Sequence, residues 1–168
     1  GSVGSLGISH LGAELFCQTT GIKMQRVPYK GSAPALIDLA SGQLQVGFNT
    51  PVSSIQHIRS KRLKPIAISG ERRLNALSHV PTLAEAGLPG YEMRASYGVL
   101  APASLPREMV TGLSAAIAKA AHDPDMKKRL AEQGAEPVGS TAEEFGRILK
   151  DEVAKWAEVV KVSGARAD

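Results

Sequence analysis

The first seventy residues alternate between a helical and an extended pattern of apolar positions. Apolar residues recur three and four positions apart from Ile8 to Phe16, which predicts an amphipathic helix with one apolar stripe. Gly21 is placed to end this helix in a left-handed conformation. Residues 22–29 then have the pattern of a strand, and Pro28 limits that strand to an edge or an exit from the sheet.

Two further helix-and-strand units follow the same order. Ser32 is expected to cap the second helix, with Pro34 in its first turn, and Thr50 to cap the third, with Pro51 at its first position. The predicted strands of these units cover residues 44–48 and 63–69. Such alternation predicts an α/β fold with a mainly parallel sheet flanked by helices. In this architecture, ligands bind at the carboxyl ends of the strands, against helix N-termini.

The pattern changes after residue 70. Thr82 and Glu85 have the spacing of a capping box and predict a short helix, and residues 91–100 resemble a long strand. Three helices are then predicted, from about Arg107 to Ala121, from Asp123 as a cap, and from Thr141, with Glu144 three residues on. The last helix carries a wide apolar face that includes Trp156.

Composition narrows the classes of protein that fit this pattern. The 168 residues are 43% hydrophobic and 21% charged, which predicts an ordered globular chain. The net charge of +4 suits an anionic ligand, but the basic residues are dispersed and aromatic residues make up only 4%, so no nucleic-acid surface is predicted. No apolar run approaches a membrane span, and no signal peptide is recognised at the start. Cys17, the single cysteine, is expected to be a buried and inert thiol.

Motifs of enzymes and of metal sites are missing from the sequence. There is no GxxxxGK[ST], GxSxG or HExxH pattern, and the four histidines lack the spacing of metal ligands. We therefore expect no catalytic residue, no metal and no cofactor.

Three strand-to-helix turns, at residues 4–9, 30–33 and 49–53, are the remaining candidates for chemistry. Each alone is typical of an ordinary helix cap. Parallel strands bring such turns to one edge of a sheet, so the free N–H groups and small hydroxyls of the three turns are expected to lie close together. Together they would form a site for a carboxylate. Lys30 either adds positive charge to this site or faces solvent. The candidate ligand-binding residues are Gly4, Ser5, Gly7, Ser9, Tyr29, Lys30, Gly31, Ser32, Asn49 and Thr50.

Several longer motifs resemble those of one family. Residues 27–35 resemble its VPYKG-x-APA motif, residues 80–91 its VPTxAEAGxPGY run, residues 98–103 its G-[LV]-[LVF]-APA stretch, and residues 130–139 its GAEPVG strand, while Trp156 matches the KWxxVV of its last helix. The chain is similar in these motifs to the Bug, or TctC-like, receptors of tripartite tricarboxylate transporters, and the resemblance covers essentially all of it.

The resemblance implies a lobe of the type II periplasmic-binding-protein fold plus a C-terminal helical return segment. Residues 1–95 correspond to the second ligand-binding lobe, and residues 96–168 to a crossover strand and helices that return toward a first lobe missing from this chain. It also implies a periplasmic receptor that is not an enzyme, holds a small carboxylate largely by main-chain amides and ordered water, and delivers it to membrane subunits of the transporter. The chain departs from the family pattern at Asn49, where many members have Asp, and at Ser96-Tyr97, which replace an aromatic pair.

Two other functions remain open from the residues alone. One is a small α/β enzyme with a glycine-rich anion-binding loop, for which His10 is the only nearby acid or base. The other is the effector-binding lobe of a transcription regulator, which would need a helix-turn-helix. The apolar face of the last helix predicts self-association through the C-terminal helices, unless the helix folds back onto its own lobe.

Overall fold

The computed structural model describes residues 2–3 and 7–163. Two short strands and six α-helices form most of its regular structure. In chain order they are β1 (Ser2–Val3), α1 (Ile8–Thr20), β2 (Pro28–Tyr29), α2 (Ser32–Ala40), α3 (Pro51–Arg59), a 3₁₀ turn (Asn75–Leu77), α4 (Arg107–His122), α5 (Pro124–Glu132) and α6 (Ala142–Ser163).

Helix α1 forms where the apolar spacing predicts it. Gly21 ends it with φ of 72°, and the Gly21 N–H donates to the Cys17 carbonyl, as expected of a left-handed C-terminal glycine. Cys17 is half-buried rather than buried. Strands β1 and β2 flank α1 in the chain and pair in parallel, with Ser2 opposite Pro28 and Val3 opposite Tyr29.

The predicted strands are mostly extended segments without a regular ladder. Only Pro28–Tyr29 of the first is a strand, residues 44–48 and 91–100 are not assigned to strands, and the stretch 63–69 contributes one parallel bridge, from Ile68 to Thr82. Alternation determines which face of a segment is buried, but a strand also needs a distant hydrogen-bonding partner. Both pairings in the described part of the chain are parallel, as the sequence predicts.

The helix caps agree only partly with prediction. Ser32 is the first residue of α2 and Gly31 is the capping residue, so the predicted cap is wrong by one position. Thr50 does precede α3, with Pro51 at its first position. Thr82 and Glu85 exchange the two hydrogen bonds of a capping box, at 2.7 and 3.1 Å, but they enclose a single turn rather than a helix.

Two groups of contacts hold the lobe together. A small apolar core surrounds Ile55 of α3, which is fully buried against Leu77 and Val80. Separately, α1 packs closely on residues 91–93, where the buried Tyr91 hydroxyl donates to the Gly12 carbonyl at 2.8 Å. A side chain at position 12 would overlap the Met93 sulfur, so glycine permits this approach.

The C-terminal helices lie where the sequence predicts them, and their caps are formed as expected. Asp123 accepts from the N–H groups of Asp125 and Met126 at 3.0 and 3.1 Å, and Thr141 and Glu144 exchange a capping box. Helix α6 packs against α1, and Val159 near its end is buried. The helix thus folds back onto its own lobe over part of its face.

The Glu144 carboxylate makes the first turn of α6 sensitive to acid. Hydrogen bonds from the Thr141 N–H, and then from its hydroxyl, hold the Glu144 pKa below its ordinary value of 4.5. As pH falls, Glu144 is therefore protonated at a higher pH in the unfolded chain than in the folded chain. The stabilisation is complete above pH 4.5 and is lost as pH falls through the lower folded pKa.

We expect Cα chemical shifts of residues 142–145 to lose helical character between about pH 6 and about pH 3. In Glu144→Gln, the Cα shifts of these residues should be less helical than in the wild type at about pH 6 and should change little down to about pH 3. Glu143→Gln, one residue earlier, should lose helical character over this pH range as the wild type does. A wild-type first turn that is unchanged at low pH would contradict this role of Glu144.

Candidate functional site

A cavity of about 340 Å³ lies where the N-terminal ends of α1, α2 and α3 meet. Its lining residues are Gly7, Ile8 and Ser9 from the start of α1, Ser32 from the start of α2, Asn49, Thr50, Val52 and Ser53 from the start of α3, and Tyr97 from the later extended segment. The convergence of three helix N-termini matches the geometry expected from the three strand-to-helix turns.

These three N-termini differ from the other helix N-termini in the described chain. In α1, α2 and α3 no side chain caps the first turn and no acidic residue lies in it. By contrast, α4, α5 and α6 each carry Asp or Glu in the first turn. Uncapped N–H groups and the positive end of the helix dipole stabilise an anion. The three helix N-termini therefore favour the binding of a negatively charged group in the cavity.

The start of α1 contributes backbone donors to the lining of the cavity. Gly7 is extended, with φ of −69° and ψ of 159°, and its carbonyl accepts from the N–H groups of His10 and Leu11. The N–H groups of Ile8 and Ser9 precede the first position that has an acceptor within the helix. Ser9 is buried, so its hydroxyl and N–H are partly shielded from bulk water.

The start of α3 combines hydroxyl groups with a carboxamide. The Thr50 carbonyl accepts from both Ser53 and Ser54, while the Thr50 and Ser53 hydroxyls lie 3.1 Å apart. Asn49 lies close to the chain at Gly47, since a Cβ atom there would be only 2.6 Å from the Asn49 amide nitrogen. The absence of a side chain at position 47 therefore leaves room for this amide.

Three predicted site residues lie next to the cavity but do not line it. The Tyr29 hydroxyl donates to the Asp38 carboxylate of α2 at 2.7 Å. This hydrogen bond, with smaller effects of burial and of the Asp38 charge, raises the Tyr29 pKa. Lys30 is exposed, and Gly31 is the residue before α2. The Tyr29 hydrogen bond thus links β2 to α2. A direct role of Tyr29, Lys30 or Gly31 in ligand binding stays a prediction.

The other predicted residues divide between the cavity and the region that is not described. Gly4 and Ser5 lie outside the described residues. The structure brings Gly7, Ser9, Ser32, Asn49 and Thr50 together at the cavity. Sequence reasoning left four lining residues off the candidate set: Ile8, Val52, Ser53 and Tyr97. Ile8, Val52 and Ser53 belong to the predicted turns at residues 4–9 and 49–53, whereas Tyr97 lies far from these turns in the sequence and reaches the cavity through the tertiary structure.

The described residues around the cavity do not form a catalytic or metal-binding group. No Lys, Arg, Asp or Glu lines it, and no cluster of three or more His, Cys, Asp or Glu suited to a metal occurs in residues 2–3 and 7–163. His10 is buried, and its Nδ1 atom lies 3.0 Å from the Arg26 guanidinium. Its Nε2 atom lies 3.5 Å from the Glu14 carboxylate. The cavity offers N–H, hydroxyl and amide donors, which suits binding rather than proton transfer.

Comparison with known proteins identifies the family. The family model described as tripartite tricarboxylate transporter family receptor, TctC, matches residues 1–165. The chain belongs to the TctC family. Among curated TctC relatives, BugT of Bordetella pertussis is 34% identical over 158 residues, which are 94% of this chain and 48% of BugT.

Solved TctC structures have the same fold. R. palustris Rpa4515, solved with adipate, superposes with a TM-score of 0.90 at 35% identity over 99% of this chain and 57% of that chain. MatC of Rhodopseudomonas palustris, solved with malate, gives 0.81 at 29% identity over 95% and 56%. The chain thus spans about half the length of these relatives. The likeness confirms an α/β lobe of the periplasmic-binding-protein type, and the TctC family is one of receptors rather than enzymes.

Gly47→Ala tests whether the missing side chain makes room for Asn49. The new Cβ would lie 2.6 Å from the Asn49 amide nitrogen and 3.0 Å from a Leu39 methyl. We expect the Asn49 side-chain NMR signals to shift and the free energy of unfolding to fall by up to about 1 kcal/mol, because the two close atoms are ends of side chains that can partly move aside.

The matched control is Gly112→Ala within α4, where nothing lies within 4 Å of an added Cβ. That change should leave the free energy of unfolding unaltered or raise it by up to about 1 kcal/mol, because alanine favours helix. Urea unfolding measures both variants. Equal effects of the two substitutions would contradict a packing role for Gly47.

Proposed function

We propose that this chain forms one lobe of an extracytoplasmic solute receptor that binds a small carboxylate for a tripartite tricarboxylate-type transporter. The observation that carries the proposal is the convergence of three uncapped, acid-free helix N-termini on one cavity. Such ends stabilise an anion through backbone N–H groups and aligned peptide dipoles without a cationic side chain.

The relatives support the chemical class of ligand. Rpa4515 is described with adipate and MatC with malate, both of which are carboxylates. The net charge of +4 adds a long-range attraction for anions. The family and structural relatives are receptors and give no support to the enzyme or the transcription-regulator alternative.

The proposal extends to the organisation and location of the protein. We propose that residues 1–95 act as a ligand-binding lobe and that residues 96–168 form a return segment toward a second lobe, in a receptor that works in the periplasm with the membrane subunits of its transporter. BugD, another relative in structure, is described as a periplasmic binding protein. None of the helices in the described residues is long and apolar enough to cross a membrane.

Carboxylates should perturb the helix N-termini at the cavity. In NMR titrations of the ¹⁵N-labelled chain, amide shifts should concentrate in residues 7–9, 32–33 and 52–53, with a Kd of about a millimolar or weaker for one lobe. Neutral sugars should cause no such shifts. Shifts with sugars and none with carboxylates would overturn the proposal.

A matched pair of variants sharpens this experiment. Ser53→Asp places a carboxylate in the first turn of α3, where it should compete with the ligand and weaken binding at least about tenfold. Thr111→Asp makes the same exchange of hydroxyl for carboxylate in α4, away from the cavity, and should leave binding unchanged. Equal binding by the two variants would argue against the N-terminus of α3 as part of the site.

We also propose that copies of this chain self-associate through α6. Although Val159 is buried, Ile148, Leu149 and Val153 are 38%, 43% and 63% exposed on the same helix. An apolar strip of this kind gains free energy when a second copy covers it. Trp156 is half-buried, and its indole N–H donates a hydrogen bond to the Glu152 carboxylate. The contact between two copies is therefore expected nearer the middle of α6.

Light scattering at dilute and concentrated protein measures this association. The wild type should gain mass with concentration, and Leu149→Glu combined with Val153→Glu should remain monomeric. Ala154→Glu combined with Ala157→Glu adds the same charge at two other exposed positions of α6 and should still associate. A wild-type monomer at every concentration would rule the proposal out.

A further inference from the structure

The described lining of the cavity combines polar groups with three apolar or aromatic side chains. Hydroxyl and amide groups come from Ser9, Ser32, Asn49, Thr50 and Ser53. The remaining side chains that line it are the aliphatic Ile8 and Val52 and the aromatic Tyr97. None of the described residues that line the cavity carries a charge that could compensate a further negative group. This lining favours a ligand that joins one negatively charged group to an apolar body.

Tyr97 reaches the cavity from a segment that is fixed on its other side by α6. Its side chain is 74% exposed, so little of this chain covers it. The next residue, Gly98, lies directly against the Phe145 ring, since an added Cβ would overlap that ring. Phe145 follows the capping box of Thr141 and Glu144 and belongs to the first turn of α6. This packing sets the place of the Tyr97 backbone while leaving the ring available to a ligand.

We propose that the cavity selects carboxylates that carry an apolar body, aliphatic or aromatic, and that Tyr97 is a specificity-determining residue. The inference rests on the proposed carboxylate site and adds the class of ligand. With one carboxylate at the helix N-termini, the rest of the ligand meets Ile8, Val52 and Tyr97. A hydrocarbon gains there by leaving water, whereas a second carboxylate or several hydroxyls would lose hydration and find no charged partner among the described lining residues of this lobe.

A matched series of acids tests this selectivity by NMR on the ¹⁵N-labelled chain. The probes are acetate, butyrate, hexanoate, benzoate and citrate. Affinity should rise along the straight-chain acids, by up to about fourfold for each buried methylene and at least about tenfold from acetate to hexanoate. Benzoate should also bind more tightly than acetate, and citrate should not bind more tightly than acetate at equal ionic strength.

Variants at Tyr97 separate its ring from its hydroxyl. Tyr97→Ser should lower the ratio of hexanoate to acetate affinity by at least about threefold. Tyr97→Phe keeps the ring and should keep the ratio. Val99→Ser is the control, because Val99 is 72% exposed two residues away and does not line the cavity.

The outcomes distinguish this inference from the proposed function. If no acid shifts the amides at the cavity, the carboxylate site and its selectivity are both wrong. If the acids bind at these amides with equal affinity, or citrate binds most tightly, the site stands and the selectivity is overturned. An unaltered ratio in Tyr97→Ser would likewise overturn the role of Tyr97.

Discussion

The close approach of α1 to residues 91–93 is the constraint on which the rest of this lobe depends. It requires glycine at position 12, beside Met93, and it is held by the buried hydrogen bond from Tyr91 to the Gly12 carbonyl. Burial raises the Tyr91 pKa well above its usual range, so the phenol keeps its proton and remains a donor. Because α1 is fixed along this contact, its N-terminal residues 7–9 are held at the cavity.

An anion site made of backbone groups places unusual demands on the sequence. It needs no particular side chain at the ligand, but it needs helix starts without acids and without capping side chains. The first turns of α1, α2 and α3 meet this condition, while α5 and α6 use Asp123, Thr141 and Glu144 to cap theirs. The three helix starts at the cavity thus lack both acids and side-chain caps, whereas α5 and α6 are capped by side chains and α4 carries Glu108 in its first turn.

Local features of the fold were predictable from the sequence, and distant pairings were not. The helices from Ile8, Arg107, Pro124 and Ala142 follow from apolar spacing and caps, which act within a few residues. The strands expected at 44–48, 63–69 and 91–100 depend on partners far along the chain, which alternation cannot specify. For the same reason the turn patterns predict Ser32 and Thr50 as candidate site residues, whereas Tyr97 stands out in the sequence only as a departure from a family motif.

Helix α6 connects the two parts of the cavity wall. Near its C-terminal end it lies on α1, and Lys155 donates to the Glu92 carbonyl at 3.0 Å, beside the segment that holds Gly12. At its first turn, Phe145 packs on Gly98 next to Tyr97. One long helix therefore contacts both the element that presents backbone donors and the segment that presents the aromatic ring. Helix α6 therefore adds to the contact between α1 and residues 91–93 in holding the backbone donors and the aromatic segment at one cavity.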